Sequence, residues 1–109
     1  MKKVKGIINA LLEVKTIIQN DIGEGVETWQ TLKSLNGWLD LSSGSADYQT
    51  YNAKIQESTH VFICDYEPID VEESQCRLTI ANKHYEILLI DNPMELNYHI
   101  EIYLKYVGE

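Results

Sequence analysis

Near its C-terminal end the chain alternates strictly, in the segment YHIEIYLKY. Tyr98, Ile100, Ile102, Leu104 and Tyr106 fall on one face, and His99, Glu101, Tyr103 and Lys105 on the other. That is the period of a strand with one side buried. Upstream, CRLTIANKHYEILLID reads as two strands about a turn near Asn82 and Lys83, where asparagine supplies the turn chemistry. STHVFICDYE is rich in β-branched and aromatic residues and is followed by Pro68, which marks it as a strand and its end. EPIDVEES is polar enough to be a connection. In the first half, LLEVKTIIQ ends in β-branched residues, and VETWQTL sets Val26, Thr28 and Gln30 against Glu27, Trp29 and Thr31. LNGWLDL follows as a further strand, with Gly37 marking a bulge or a close backbone approach.

Two stretches do not fit the alternation. Residues 42–59, SSGSADYQTYNAKIQEST, open with a serine cluster and then place Asp47 where it caps a short helix over 48–56. Tyr48, Tyr51 and Ile55 recur there at helical spacing, which packs such a helix onto a sheet. Residues 1–10 read as an arm or a short helix, since Gly6 and β-branched neighbours weaken a fair helix propensity. The whole predicts one domain over residues 1–109. It is mainly β: about six antiparallel strands in a small barrel or sandwich, with one short α-helix in a long inter-strand segment.

Composition narrows the function. The net charge is −8, and Arg77 is the only arginine beside eight lysines. Tight phosphate binding uses arginine forks and clustered bases, so DNA is expected to pass such a surface without being gripped. Cys64 and Cys76 lie in separate apolar stretches and read as buried free thiols, with a disulfide between neighbouring strands as the alternative. The start MKKVKGIINALLEV begins like a signal peptide, but Asn9 and Glu13 interrupt its apolar run and no small-residue cleavage pattern follows. No apolar run approaches membrane-spanning length, so a cytoplasmic protein without a membrane partner is expected.

The residues that invite a chemical reading do not converge. Gly23 and Gly25 in NDIGEGVETWQTL suggest a phosphate loop, yet they lead into a strand and stand beside Asp21, Glu24 and Glu27. A phosphate loop needs a following helix and no flanking anions. Both glycines are expected at positive φ in a hairpin turn, and Trp29 is expected to anchor the second strand in the core. His60, His84 and His99 have no partners at metal-ligand spacing. No serine has an adjacent base or a nucleophile elbow. No catalytic residue, metal or cofactor is expected, and the chain does not read as an enzyme. Tyr66 and Tyr103 are expected to face outward, where tyrosine favours interfaces.

The order of parts resembles the head closure (head–tail joining) proteins of long-tailed bacteriophages and related prophages. The resemblance covers residues 14–107. It rests on the acidic glycine turn ending in Trp29, LNGWLDL, the excursion SGSADYQTYNAKIQEST, HVFICDYEPI, the hairpin CRLTIANKHYEILLIDNP and the final strand YHIEIYLK. HVFICDYEPI departs from the pattern, with Asp65 and Tyr66 where an arginine is common. The resemblance implies a structural subunit of the virion neck, present in the host cytoplasm during assembly. It forms a homo-oligomeric ring that closes the capsid exit after DNA packaging and gives the tail its platform, although such proteins can be monomeric alone. Its implied partners are portal, adaptor and tail proteins, with double-stranded DNA passing transiently. Ser42, Ser43, Gly44, Ser45, Asp47, Tyr48, Tyr51 and Asn52 are the candidate lumen or assembly loop, because the one long excursion is best placed to reach the channel or a neighbour. The alternatives are an adaptor or tail-terminator role and, more distantly, an OB-like module for single-stranded nucleic acid, against which the acidic charge argues.

Overall fold

The computed structural model describes residues 8–41 and 58–109. The strands are β1 (Ile8–Gln19), β2 (Gly25–Leu41), β3 (His60–Asp65), β4 (Cys76–Ile80), β5 (Lys83–Asp91) and β6 (His99–Gly108). All pairings are antiparallel, in the order β1-β2-β3-β6-β5-β4, and β4 returns to β1 to close a barrel. Within the closed section, this removes the free edges that an open sheet would leave. Because neighbouring strands are antiparallel, connections alternate between the barrel ends. The β1–β2 turn, the β3–β4 connection and the β5–β6 loop therefore leave from one end.

The alternating residues fill the interior. Leu78 and Ile80 of β4, Phe62 and Cys64 of β3, and Ile100, Ile102 and Leu104 of β6 join Ala10, Leu12, Leu35, Cys76, Tyr85 and Ile87 in one core. Phe62, Leu78, Ile102 and Leu104 are completely buried. Both cysteines are free and buried, on strands that are not neighbours. Burial pushes the Cys64 thiol up to about 12, assisted by the charges of Glu67 and Asp65, and burial also raises Cys76. Neither is poised as a thiolate nucleophile.

Several sequence expectations change. VETWQTL and LNGWLDL are not two strands but parts of the 17-residue β2, because the Lys33-Ser34 link between them stays paired with Leu12 and Leu11 of β1. Of the arm expected over 1–10, Ile8, Asn9 and Ala10 belong to β1, paired with Gly37, Asn36 and Leu35, and residues 1–7 lie outside the described residues. The helix expected over 48–56 lies outside the described residues; within them the only helical turns are 3-10, at Glu73–Gln75 and Pro93–Glu95. The turn between β4 and β5 is Ala81-Asn82, both at positive φ (51° and 66°), as a two-residue hairpin turn matched to strand twist requires. Tyr103 does not face solvent: it is only 9% exposed, and its hydroxyl donates to Glu101 Oε1 at 2.9 Å. Tyr66 packs partly against the core. Tyr98 and Tyr106, expected inside, are half-exposed at the two ends of β6, beyond the filled section of the barrel.

Gly37 is a close approach and not a bulge. It pairs with Cys64 on β3, and a Cβ there would overlap the Ile63 carbonyl oxygen and come within 2.9 Å of Cys64 Cβ and Phe62 Cζ. Nothing flexible can yield, because the first obstacle is backbone. Gly37→Ala is expected to lower stability by about 2 kcal/mol or more. Gly23→Ala, at φ 83° with open space around it, should cost about 1 kcal/mol. Urea titration followed by circular dichroism checks the ranking; equal midpoints for the two variants would refute the close-packing reading.

Candidate assembly surface

β1 and β2 are much longer than the barrel needs. β4 pairs with β1 only over Leu11–Val14, matched to Thr79–Cys76, and β3 pairs with β2 only over Gly37–Leu41. Beyond those contacts the two strands continue together, from Lys15 opposite Trp29 to Gln19 opposite Gly25, with no further strand on either side among the described residues. The result is a hairpin that stands out from one barrel end. It lengthens the molecule to 51 Å against 29 and 25 Å across. Among the described residues, no strand pairs with the outer edge of β2 from Gly25 to Asn36.

The hairpin tip is fixed by Asn20. Its backbone carbonyl accepts from Gly23 N–H at 3.0 Å, its N–H donates to Glu24 O at 2.9 Å, and its side-chain Oδ1 accepts from Ile22 and Glu24 N–H at 3.1 and 2.9 Å. Gly23 supplies the left-handed conformation at φ 83°, as expected. Gly25 does not: it opens β2 with ordinary backbone, and its bare Cα lies beside Ile17, whose Cγ2 would be 3.1 Å from an added Cβ. Around this turn Ile17, Ile18 and Ile22 are 70, 59 and 76% exposed, and Val26 and Leu32 are also exposed. Asp21, Glu24 and Glu27 share the tip. Glu27 is 3.9 Å from Lys15 across the hairpin.

Trp29 lies on the outside of this hairpin, not in the core. The cause is a register shift between Leu12 and Glu13, where Leu12 faces Lys33 but Glu13 faces Thr31, so Leu32 is an extra residue in β2. An inserted residue reverses the alternation. Without it, Trp29 would share the inward face with Leu35 and Gly37. With it, Trp29 turns outward and Val26, Thr28 and Gln30 continue the face of Val14. The Arg77 guanidinium covers the indole, its Cζ 4.2 Å from the ring centroid, and Lys15 Nζ is 5.6 Å away. Arg77 Nε donates to Glu13 Oε1 at 2.7 Å, and so does the Thr79 hydroxyl at 2.7 Å. That hydroxyl has one proton, already given to Glu13, so its 2.9 Å contact with His84 Nδ1 requires the imidazole to donate. The relay locks β1, β2, β4 and β5 together where the hairpin leaves the barrel. The single arginine is thus held within the subunit between Glu13 and Trp29, which sequence could not reveal without the Leu32 bulge.

A second apolar group sits at the same end. In the β5–β6 loop Asn92 and Asn97 hold each other, Nδ2 to Oδ1 at 2.7 Å and Asn97 N–H to Asn92 Oδ1 at 3.1 Å. Met94, Glu95 and Asn97 take positive φ of 55–60°. This tight loop turns Met94 outward, 86% exposed, with Leu96 and Tyr98 half-exposed beside it. Large apolar side chains presented on a stiff turn are characteristic of protein contact surfaces. The candidate loop residues Ser42, Ser43, Gly44, Ser45, Asp47, Tyr48, Tyr51 and Asn52 lie outside the described residues. β2 ends at Leu41 and β3 begins at His60, at the barrel end opposite the hairpin tip.

Burial pushes the Glu13 carboxyl up, but the Thr79 and Arg77 hydrogen bonds and the Arg77 and His84 charges outweigh it, so the net shift is downward. A carboxylate held below its unfolded value contributes stability above that value and loses it as pH falls through the lowered one. Arg77→Ala is expected to cost about 1–3 kcal/mol at neutral pH, to flatten the acid limb of the stability curve, and to change Trp29 emission in a Trp38→Phe background. Unfolding titrations between neutral pH and pH 3 check this; an unchanged acid limb would refute the relay.

Two solved structures share the fold. Protein SF1141 from Shigella flexneri 2a superposes with a TM-score of 0.71 at 18% identity, covering 100% of this chain and 99% of that one. A chain of the native gene transfer agent virion superposes with a TM-score of 0.55 at 13% identity, covering 96% of this chain and 98% of that one. No curated protein sequence matches the chain. The model of the phage head completion protein family matches residues 9–105, from the second residue of β1 to Lys105 in β6. A match of that extent includes every strand, the protruding hairpin and the Arg77 relay, and the chain therefore belongs to the phage head completion protein family.

Proposed function

We propose that this protein is a structural subunit of the head-to-tail connector. In this reading it forms a homo-oligomeric ring that closes the capsid exit after DNA packaging and presents a platform to the tail. Membership of the head completion family supplies the structural, virion-associated role in head–tail joining. The fold-mate from a gene transfer agent is itself part of a virion particle. The observation that carries the finer reading is the division of labour in the fold. A closed barrel holds the core, while apolar and acidic side chains are carried beyond it on the β1–β2 hairpin and the β5–β6 loop, where they add nothing to that core.

Portal or adaptor proteins on one side and tail proteins on the other are the partners this role requires. The acidic surface, −8 overall, suits a passage through which double-stranded DNA moves without sequence-specific binding. The polar residues 42–52 are the candidate lumen segment, since they join strands at the end of the barrel away from the hairpin. The hairpin and the lumen segment then act at opposite ends of each subunit, one toward neighbours and one toward the channel. Host cytoplasm during assembly and the virion neck afterwards are the corresponding locations.

Deleting residues 44–52 is expected to leave the barrel folded, with an unchanged β spectrum and core melting, while particles lose their packaged DNA. Nuclease-protected DNA per particle measures it. Particles that carry the deleted subunit and still retain full-length genomes would overturn the assignment.

A further inference from the structure

The hairpin tip combines an open backbone edge, exposed isoleucines on both faces and acidic side chains. Long uncovered strand edges invite pairing, and soluble proteins ordinarily blunt them. The β2 edge from Gly25 to Asn36 carries one lysine, Lys33, and that lysine lies 3.6 Å from Glu67 at the barrel rim. No proline or bulge protects the tip itself, because the Leu32 bulge falls between tip and barrel. The edge is therefore shaped to receive a strand.

The chain contains a segment of the complementary charge. Lys2, Lys3 and Lys5 stand within residues 1–6, MKKVKG, with no acid among them. They hold three of the nine basic residues, whereas Asp21 and Glu24 bracket the tip and Glu27 follows on β2. We propose that the open β2 edge at the hairpin tip receives residues 1–6 of a second copy of this chain, added as an extra strand, with Lys2, Lys3 and Lys5 meeting Asp21, Glu24 and Glu27. This rests on the ring reading above and names its subunit contact.

Reach decides that the contact is between copies. Ile8 starts β1 at one end of the barrel and Gln19 ends it at the tip, eleven residue steps or about 36 Å apart. Lys2 lies six residues before Ile8, and a fully extended chain covers only about 20 Å over six residues. The lysines fall well short of their own tip. A basic segment at one end and an acidic edge at the other make the contact head-to-tail, which closes into a ring when the rotation between copies permits. Backbone pairing supplies affinity in such strand addition, and the charges select direction over the like-charge encounter of two tips.

Charge reversal in the full-length chain tests this. One variant carries Lys2→Glu, Lys3→Glu and Lys5→Glu; the other carries Asp21→Lys, Glu24→Lys and Glu27→Lys. Sedimentation velocity over a concentration series is expected to show wild-type self-association that weakens roughly tenfold or more between about 50 and 500 mM salt. Each variant alone should lose it, and an equimolar mixture should regain it, because both contacts in the mixture are again opposite in charge. Circular dichroism and melting confirm that each variant folds. A wild-type chain that stays monomeric at every concentration in low salt, or a mixture that stays monomeric, overturns the proposal. The readout is separate from the deletion of residues 44–52, so the subunit contact can fail while the connector role stands.

Discussion

The architecture depends on how little of β1 and β2 is used to close the barrel. Closure needs each strand to find two neighbours, and β4 and β3 reach these two strands only over short lengths, Leu11–Val14 and Gly37–Leu41. Those lengths set the height of the core. Among the described residues, what β1 and β2 contain beyond them stands outside as a two-stranded ribbon, which on its own is marginally stable in water. The ribbon persists because its base is clamped. Gly37 lets β2 press onto β3, and the Glu13 carboxylate collects Arg77 and Thr79 just where β4 begins.

That arrangement separates stability from contact. The core is apolar and closed, with both thiols buried. No group of histidine, cysteine or acidic residues among the described ones is arranged to hold a metal ion. The exposed isoleucines, Met94, Leu96 and Tyr98 sit on or beside turns held by asparagine side chains. They can change with little effect on the core, and a protein built from a closed barrel can vary its partners there. A structural role in head–tail joining, which the family establishes, asks for this kind of division.

The sequence showed the strands and the core through period-two alternation, and β3, β4 and most of β6 follow it closely. The hairpin at Asn20–Gly25 was legible as a turn but not as a surface. Reading it as a protrusion requires knowing where β3 and β4 stop pairing, a nonlocal fact. Trp29 shows the limit most clearly. Periodicity assigned it to the core, and one extra residue, Leu32, reversed the face; a bulge leaves no reliable mark when neither neighbour is glycine. Tyr103 was assigned outward by the same rule and is buried by its surroundings. The union of VETWQTL and LNGWLDL into one strand was hidden by the turn-forming Ser34 and Asn36-Gly37, which pairing with β1 holds extended, and strands of that length are rare enough to discourage it.

Amide hydrogen exchange of the free protein tests the central claim, a closed barrel with an unclamped hairpin edge. The slowest amides are expected in Phe62, Leu78, Ile102 and Leu104, at the protection of global unfolding. In β2, alternate amides between Gly25 and Asn36 point to the open edge and should exchange far faster than those of Gly37–Leu41. Uniformly slow exchange along the whole of β2 would contradict it, because the outer edge would then be covered within the monomer.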